Sequence, residues 1–131
     1  MTDFFKSKNI LITGGAGFVG ANLIKKILPL GGNITATLHE KSEVIKNREI
    51  NYITCDLRNP IDCKKVCDNI DYIFMCSANT SGAKVMSTTP LVHLTPNILM
   101  NMNMLEAAYE LGVKKFLFIS SNTVYPLTDY P

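Results

Sequence analysis

No long hydrophobic run occurs in this sequence. The longest purely apolar stretches are a few residues, such as Phe116-Leu117-Phe118-Ile119, whereas a membrane-spanning helix needs ~20 apolar residues in succession. The start, Met1-Thr2-Asp3-Phe4-Phe5, carries an acid and lacks the apolar stretch of a secretory signal, so a cytoplasmic setting is expected. An excess of one charge is also missing. Lys+Arg number 13 against 11 Asp+Glu, a formal +2 with no basic cluster, which removes the electrostatic case for nucleic acid or an anionic membrane as partner. Charged residues are 18% and hydrophobic residues 47% of 131 positions, which excludes disorder and suits one compact domain. Internal repeats, low-complexity tracts and linkers are absent as well.

Cysteine is sparse: Cys55, Cys63, Cys67 and Cys76. Without a secretory signal, disulfides are not expected. Cys63 and Cys67 stand four apart and so share one face of any helix there. A metal site would want further ligands nearby, and His39 and His93 are remote in sequence, so buried or half-buried thiols and no metal are expected.

What is present is an alternation of short apolar strands and amphipathic segments. Residues 9–13 read as a buried strand that ends in glycines. From Gly17, Val19, Leu23, Ile24, Ile27 and Leu28 recur at helical spacing, until Pro29 and Gly31-Gly32 stop the helix. Residues 34–38 and 50–54 read as the next strands. Residues 60–69 suit a short helix with Pro60 in its first turn. Residues 72–76 read as a fourth strand, 96–111 as a long helix closed by Gly112, and 116–120 as a fifth strand. Strands alternating with helices predict parallel pairing through helical crossovers, hence a doubly wound α/β sheet covered on both faces.

Thr13-Gly14-Gly15-Ala16-Gly17-Phe18-Val19-Gly20 joins the first strand to the first helix. Its glycines fall as G-x-x-G-x-x-G at 14, 17 and 20. A tight strand-to-helix turn, close approach of backbone to a pyrophosphate and helix-on-strand packing each want a residue without Cβ. The helix start then offers free N–H groups and the positive end of its dipole to phosphates. The apolar strand before and the amphipathic helix after supply the context that this motif requires.

These residues resemble the short-chain dehydrogenase/reductase superfamily, and the T-G-G-x-G-F-x-G form resembles its extended branch of nucleotide-sugar epimerases, dehydratases and reductases. Further segments match in order. Asp56-Leu57 resembles the pair that contacts adenine. Residues 71–78, Asp71 to Ala78, resemble the D-x-V-x-H-x-A-A strand beside the cofactor, which brings in Ser77 and Ala78. Asn97 and Asn103, with Leu105-Glu106-Ala107-Ala108, resemble the N-V-x-G-T-x-N-L-L-E-A-A helix. Residues 118–126 resemble the F-x-S-S-x-x-V-Y segment. Within the branch, GDP-fucose synthases are the most similar. The resemblance implies an NAD(P)-binding Rossmann domain over residues 1–131, with Gly14, Gly17, Phe18, Val19, Gly20, Asp56, Leu57, Ser77, Ala78 and Asn97 at the cofactor. It also implies a nucleotide-sugar substrate and a homodimer at full length.

Enzymes that use NAD usually carry an acid at the end of the second strand for the ribose 2′-OH. That place falls at about Leu38, within Leu38-His39-Glu40-Lys41. A 2′-phosphate would repel a carboxylate there and favour His39 or Lys41, so NADP(H) is expected, with NAD as the second choice. The competing reading leaves His39 and Lys41 as a solvated strand end, with Glu40 on the ribose.

The resemblance assigns Ser121 the orientation of the substrate oxygen at the carboxyl end of a parallel strand. Thr123 lies where GDP-fucose synthases carry an acid/base cysteine. A threonine hydroxyl is far less acidic than a thiol, so hydride transfer is expected more than epimerisation. The family's Tyr-x-x-x-Lys pair is absent: no tyrosine here is followed by lysine four positions later. The expected fold is therefore five Rossmann strands, ending before the sixth and before the catalytic pair. Such a chain would hold a dinucleotide without turning over substrate. Two alternatives stand beside the reductase/epimerase: a non-catalytic NAD(P)-binding regulatory module, and an NDP-sugar 4-epimerase or dehydratase. Asn79-Thr80-Ser81-Gly82 reads as a substrate-side loop or an ordinary polar connection. Met100, Met102 and Met104 read as packing residues.

Overall fold

The computed structural model describes residues 4–80, 83–89, 91–121 and 125. Asn9–Ile12 forms β1, Phe18–Ile27 α1, Asn33–Leu38 β2, Ile50–Thr54 β3 and Pro60–Cys67 α2. Tyr72–Met75 forms β4, Ala83–Thr88 α3, Leu91–Glu110 α4 and Lys115–Phe118 β5. The five strands lie in the order β3-β2-β1-β4-β5, and every pairing is parallel. The order turns at β1: β2 and β3 extend the sheet to one side, β4 and β5 to the other. The loops leaving the carboxyl ends of β1 and β4 therefore diverge, which opens the crevice where α/β sheets bind ligands.

Alternation along the strands divides the core between two faces. Ile10, Ile12, Ile34, Ala36, Ile50 and Tyr72 pack on one side with Ile24 and Ile27 of α1. Leu11, Ile73 and Met75 pack on the other with Cys63, Val66 and Cys67 of α2 and Met104, Ala107 and Ala108 of α4. Cys63 and Cys67 do share one helix face, fully buried. Burial pushes the Cys63 thiol up to about 12 and those of Cys55, Cys67 and Cys76 to about 11. All four are free thiols, protonated at neutral pH. Of the three methionines, Met104 is buried, Met100 packs against the core and Met102 is exposed.

The edge strand departs from a sheet covered on both faces. In β5 only Phe116 packs into the core, whereas Leu117 and Phe118 are about half exposed, at 47% and 52%. The amino-terminal edge is stapled by Asp71, whose carboxylate accepts from Asn9 N at 2.9 Å and from Lys114 Nζ at 2.5 Å. That acid of the D-x-V-x-H-x-A-A resemblance ties β1, β4 and β5 together at the end of the sheet opposite the crevice.

The helices depart from the sequence expectation: α3 has no counterpart in it, and α2 ends at Cys67 rather than residue 69. α1 ends at Ile27, and Leu28–Leu30 forms a 3₁₀ turn holding Pro29, closed by Gly31 at φ 77°. The larger difference is α4, which begins at Leu91 rather than Pro96. Proline lacks the N–H that would serve the carbonyl four residues earlier. Here Asn79 Nδ2 donates to that carbonyl, Val92 O, at 3.1 Å. Asn79 is clamped in turn: its N–H donates to Asn97 Oδ1 at 2.7 Å and its carbonyl accepts from Asn97 Nδ2 at 2.9 Å. A side chain from the loop after β4 thus takes over the hydrogen bond that Pro96 cannot make, and the helix continues through it.

Candidate functional site

The loop from β1 to α1 is built from Thr13 outward. Thr13 is fully buried, and its Oγ1 accepts from Cys76 N and Ser77 N, each at 2.9 Å, beside Met75 Sδ at 3.3 Å. One hydroxyl thus locks the exit of β4 to the exit of β1. Thr37, buried in β2, does the same on the other side. Its Oγ1 accepts from Gly14 N at 3.0 Å and its carbonyl from Gly15 N at 2.8 Å. The glycine loop therefore hangs between two threonines, neither of which the glycine spacing pointed to. Each could have been noticed as a polar residue at a core position of its strand.

Two of the glycines are required by geometry. Gly14 has φ 67°, and a Cβ there would lie 3.2 Å from the Ser77 backbone. A Cβ on Gly20 would stand 2.3 Å from the Gly14 carbonyl oxygen and 2.9 Å from its carbon. Gly17 N donates to that same carbonyl at 2.8 Å, which closes the turn. Gly17 is the N-cap of α1 and gives the helix no side-chain cap, and the first turn carries no acid. The first N–H groups of α1, at Phe18, Val19 and Gly20, precede any intrahelical carbonyl partner. Phe18 is 87% exposed and Val19 45%. A cradle with no room for a Cβ, open at an uncapped helix start, suits a pyrophosphate.

The other half of the crevice edge lies at the carboxyl ends of β2 and β3. Leu38 is buried, so the place usually taken by an acid holds a side chain with no polar atom. His39, Glu40 and Lys41 follow, all exposed, with His39 Nδ1 3.8 Å from Glu40 Oε1. After β3, Asp56 N donates to Asp62 Oδ2 at 2.9 Å, and the Asp56 carboxylate pairs with Arg58 at 2.6 Å. Leu57 is buried, and its carbonyl accepts from Cys63 Sγ at 3.1 Å and Asn103 Nδ2 at 3.3 Å. Asn103 thus ties α4 to this loop, as Asn97 ties it to the loop after β4. The Asn97 amide is committed to the Asn79 backbone, so Asn97 shapes the crevice by holding that loop.

The Arg58 guanidinium beside Asp56 holds its carboxyl at about 2, below the ordinary 3.8, with lesser help from His39. The folded value lies below the unfolded one. The pair's contribution is therefore present above pH ~4 and is lost as pH falls from there toward about 2. Both side chains are substantially exposed, so the effect on stability is small. Replacing Arg58 with glutamine is expected to return Asp56 toward 3.8 in a carboxyl NMR titration. An unmoved value would break the attribution to Arg58.

Ser77 is half-buried against Gly14, and Ala78 is exposed beyond it. Ser121 is exposed just past β5, on the same carboxyl edge of the sheet as the glycine loop. Thr123, Ser81 and Gly82 lie outside the described residues. The structure thus gathers Gly14, Gly17, Phe18, Val19, Gly20, Ser77 and Ala78 around the β1–β4 divergence. His39, Lys41, Asp56 and Leu57 stand around the β2–β3 ends.

The sequence pattern of the NAD dependent epimerase/dehydratase family matches residues 10–131. The chain belongs to that family. Among relatives of this epimerase/dehydratase family member, GDP-mannose 3,5-epimerase 1 of Oryza sativa subsp. indica is 32% identical over 119 residues, 89% of this chain and 32% of that protein. GDP-L-fucose synthase 1 of Arabidopsis thaliana is 25% identical over 122 residues, 92% of this chain and 34% of that protein. Among solved structures, MoeE5 in complex with UDP-glucose and NAD aligns with a TM-score of 0.78 at 26% identity, over 92% of this chain and 39% of that one. The chain spans about a third of the length of the curated relatives it matches. The family and the Rossmann fold read from the motifs hold. No described helix of this family member is long and apolar enough to cross a membrane.

Proposed function

We propose that this chain is the dinucleotide-binding part of an NADP(H)-linked nucleotide-sugar reductase or epimerase acting on a GDP- or other NDP-hexose. The observation that carries the reading is the cradle between β1 and α1: Gly20 has no space for a side chain, Gly14 holds a left-handed φ of 67°, and α1 starts without a side-chain cap. Its N–H groups bind the diphosphate. Asp56 and Leu57 receive the adenine, and His39 with Lys41 receives the 2′-phosphate, which the apolar Leu38 does not oppose. The nicotinamide supplies a hydride acceptor or donor when bound. Ser121 orients the substrate oxygen from the carboxyl edge, and Thr123 follows it. The proton at that oxygen is handled by a tyrosine outside this chain. The GDP-sugar relatives support a nucleotide sugar as substrate.

The test is a turnover assay of the full-length protein with NADPH and a GDP-keto-deoxyhexose, joined to titrations with NADPH and NADH. NADPH oxidation and tighter binding of NADPH are expected. Absence of oxidation would remove the GDP-keto-sugar reductase assignment, and tighter binding of NADH would overturn the cofactor preference.

A further inference from the structure

α4 grips Asn79 at two places. The Asn79 N–H donates to Asn97 Oδ1 at 2.7 Å and its carbonyl accepts from Asn97 Nδ2 at 2.9 Å, with His93 Nδ1 3.3 Å from the same carbonyl. The Asn79 side chain reaches back along the helix, where Nδ2 donates to the Val92 carbonyl at 3.1 Å. Residues 92 and 97 stand about 7.5 Å apart along a helix axis. A loop residue pinned by Asn97 alone could pivot about that point, and a second bond further along the axis removes the rotation. The other end of the same short segment is pinned to β1, because Cys76 N and Ser77 N both donate to Thr13 Oγ1. Ser77 and Ala78 thus form a wall of the crevice suspended between the glycine loop and α4.

We infer that Asn79 is a positioning residue for the substrate side of the crevice: its side chain uses the carbonyl that Pro96 leaves unserved as a fixed post, and so sets where Ser77 and Ala78 face an incoming nucleotide sugar. The inference rests on the proposed nucleotide-sugar reading and adds a residue that dinucleotide binding does not require. The magnitudes favour the loop over the helix as the beneficiary of this bond. Val92 is 52% exposed, and water serves a carbonyl at such a place nearly as well as an amide does. The bond therefore contributes little net stability to α4. Water on the Val92 carbonyl would not hold Asn79, however, so solvent cannot replace the restraint on the loop. Pro96 makes the post available, because another residue there would direct its own N–H at the Val92 carbonyl. The dinucleotide side is independent of this bond, since Thr13 and the packing against Gly14 hold Ser77 without it.

The full-length protein, Asn79→Ala, Pro96→Ala and the double variant would be compared by NADPH oxidation with a GDP-keto-deoxyhexose, NADPH titration, thermal unfolding and amide exchange. Asn79→Ala is expected to lower kcat/KM for the sugar about three- to tenfold, the net contribution of one hydrogen bond, with the Kd of NADPH changed by about twofold or less. Pro96→Ala restores a backbone N–H for the Val92 carbonyl. A carbonyl accepts two bonds, so this substitution alone is expected to leave turnover unchanged. The double variant is expected to regain the thermal stability of the unmodified protein and to keep the lowered kcat/KM. Recovery of both would overturn the inference and leave Asn79 serving the helix alone, as would an unchanged kcat/KM in Asn79→Ala. Should the unmodified protein not oxidise NADPH with this sugar, the proposed substrate falls by itself. Exchange protection of the amide at position 79, which Asn97 Oδ1 holds, then decides the inference. Lower protection in the double variant than in Pro96→Ala supports the hold on the loop, and equal protection overturns it.

Discussion

Replacing Gly20 with alanine is expected to weaken dinucleotide binding roughly 100-fold and to destabilise the fold by about 1–3 kcal/mol. The added methyl group would sit 2.3 Å from the Gly14 carbonyl oxygen and 2.9 Å from its carbon. No rotamer change can relieve this, because both atoms are backbone. Either α1 backs away from the loop or the loop opens. Gly14 cannot retreat freely: its N–H is bonded to Thr37 Oγ1, and Ser77 closes its other side. Movement of α1 carries its first N–H groups away from the diphosphate. A hydrogen bond to a charged group contributes ~1.5–3 kcal/mol, so misaligning two of them accounts for the expected loss. Gly17→Ala provides the comparison, since a Cβ there meets only the Gly14 oxygen, at 3.1 Å, and needs a shift of tenths of an ångström. Calorimetric titration with NADPH and denaturant unfolding of both variants test the claim. Equal behaviour of the two alanines would refute the close-approach explanation.

Thr13→Val is the second large effect, an expected loss of about 2–5 kcal/mol of stability from a nearly isosteric change. Valine keeps the shape and removes the oxygen. The N–H groups of Cys76 and Ser77, each 2.9 Å from Thr13 Oγ1, would both lose their acceptor. Thr13 is fully buried, so water does not replace that oxygen without repacking, and an unmet donor costs about 1–3 kcal/mol. Thr13→Ser keeps the oxygen and is expected to retain most of the stability. Amide hydrogen exchange at Cys76 and Ser77 gives the specific readout. It should accelerate in the valine variant more than at Ile73, whose partners in the sheet are unchanged. Protection of both amides in Thr13→Val would refute the lock between β1 and β4. A functional effect is coupled to it, because the freed segment is the one that closes on Gly14.

The strands were legible in the sequence for a simple reason. Residues such as Ile10, Leu11, Ile12 and Ile73 are buried on both faces of a parallel sheet, so their runs are continuously apolar and end in turn residues. The glycine loop was legible because glycine is irreplaceable where backbone crosses backbone, as at Gly14 and Gly20. The start of α4 was not. Proline reads locally as a helix beginning, and only Asn79, seventeen positions upstream and on a different element, supplies the missing hydrogen bond at Val92. Thr37 and Arg58 were equally hidden. A threonine within β2 reads as a β-branched strand residue, and its role appears only once Gly14 lies beside it. Arg58 follows a recognised acid-leucine pair and acquires a place only through its pairing with Asp56 and the bond from Asn103 to its carbonyl.

By itself, then, the sequence determined the order of the strands, the parallel sheet, the glycine loop and the family, because these follow from periodicity and from residues with unique backbone freedom. The tertiary structure decided which polar groups meet. Thr13 and Thr37 suspend the loop, Asn79 and Asn97 carry α4 through Pro96, and Asp56 pairs with Arg58. Those partners are far apart in sequence or on different elements, and hydrogen bonds depend on distances of a few tenths of an ångström that no local pattern encodes.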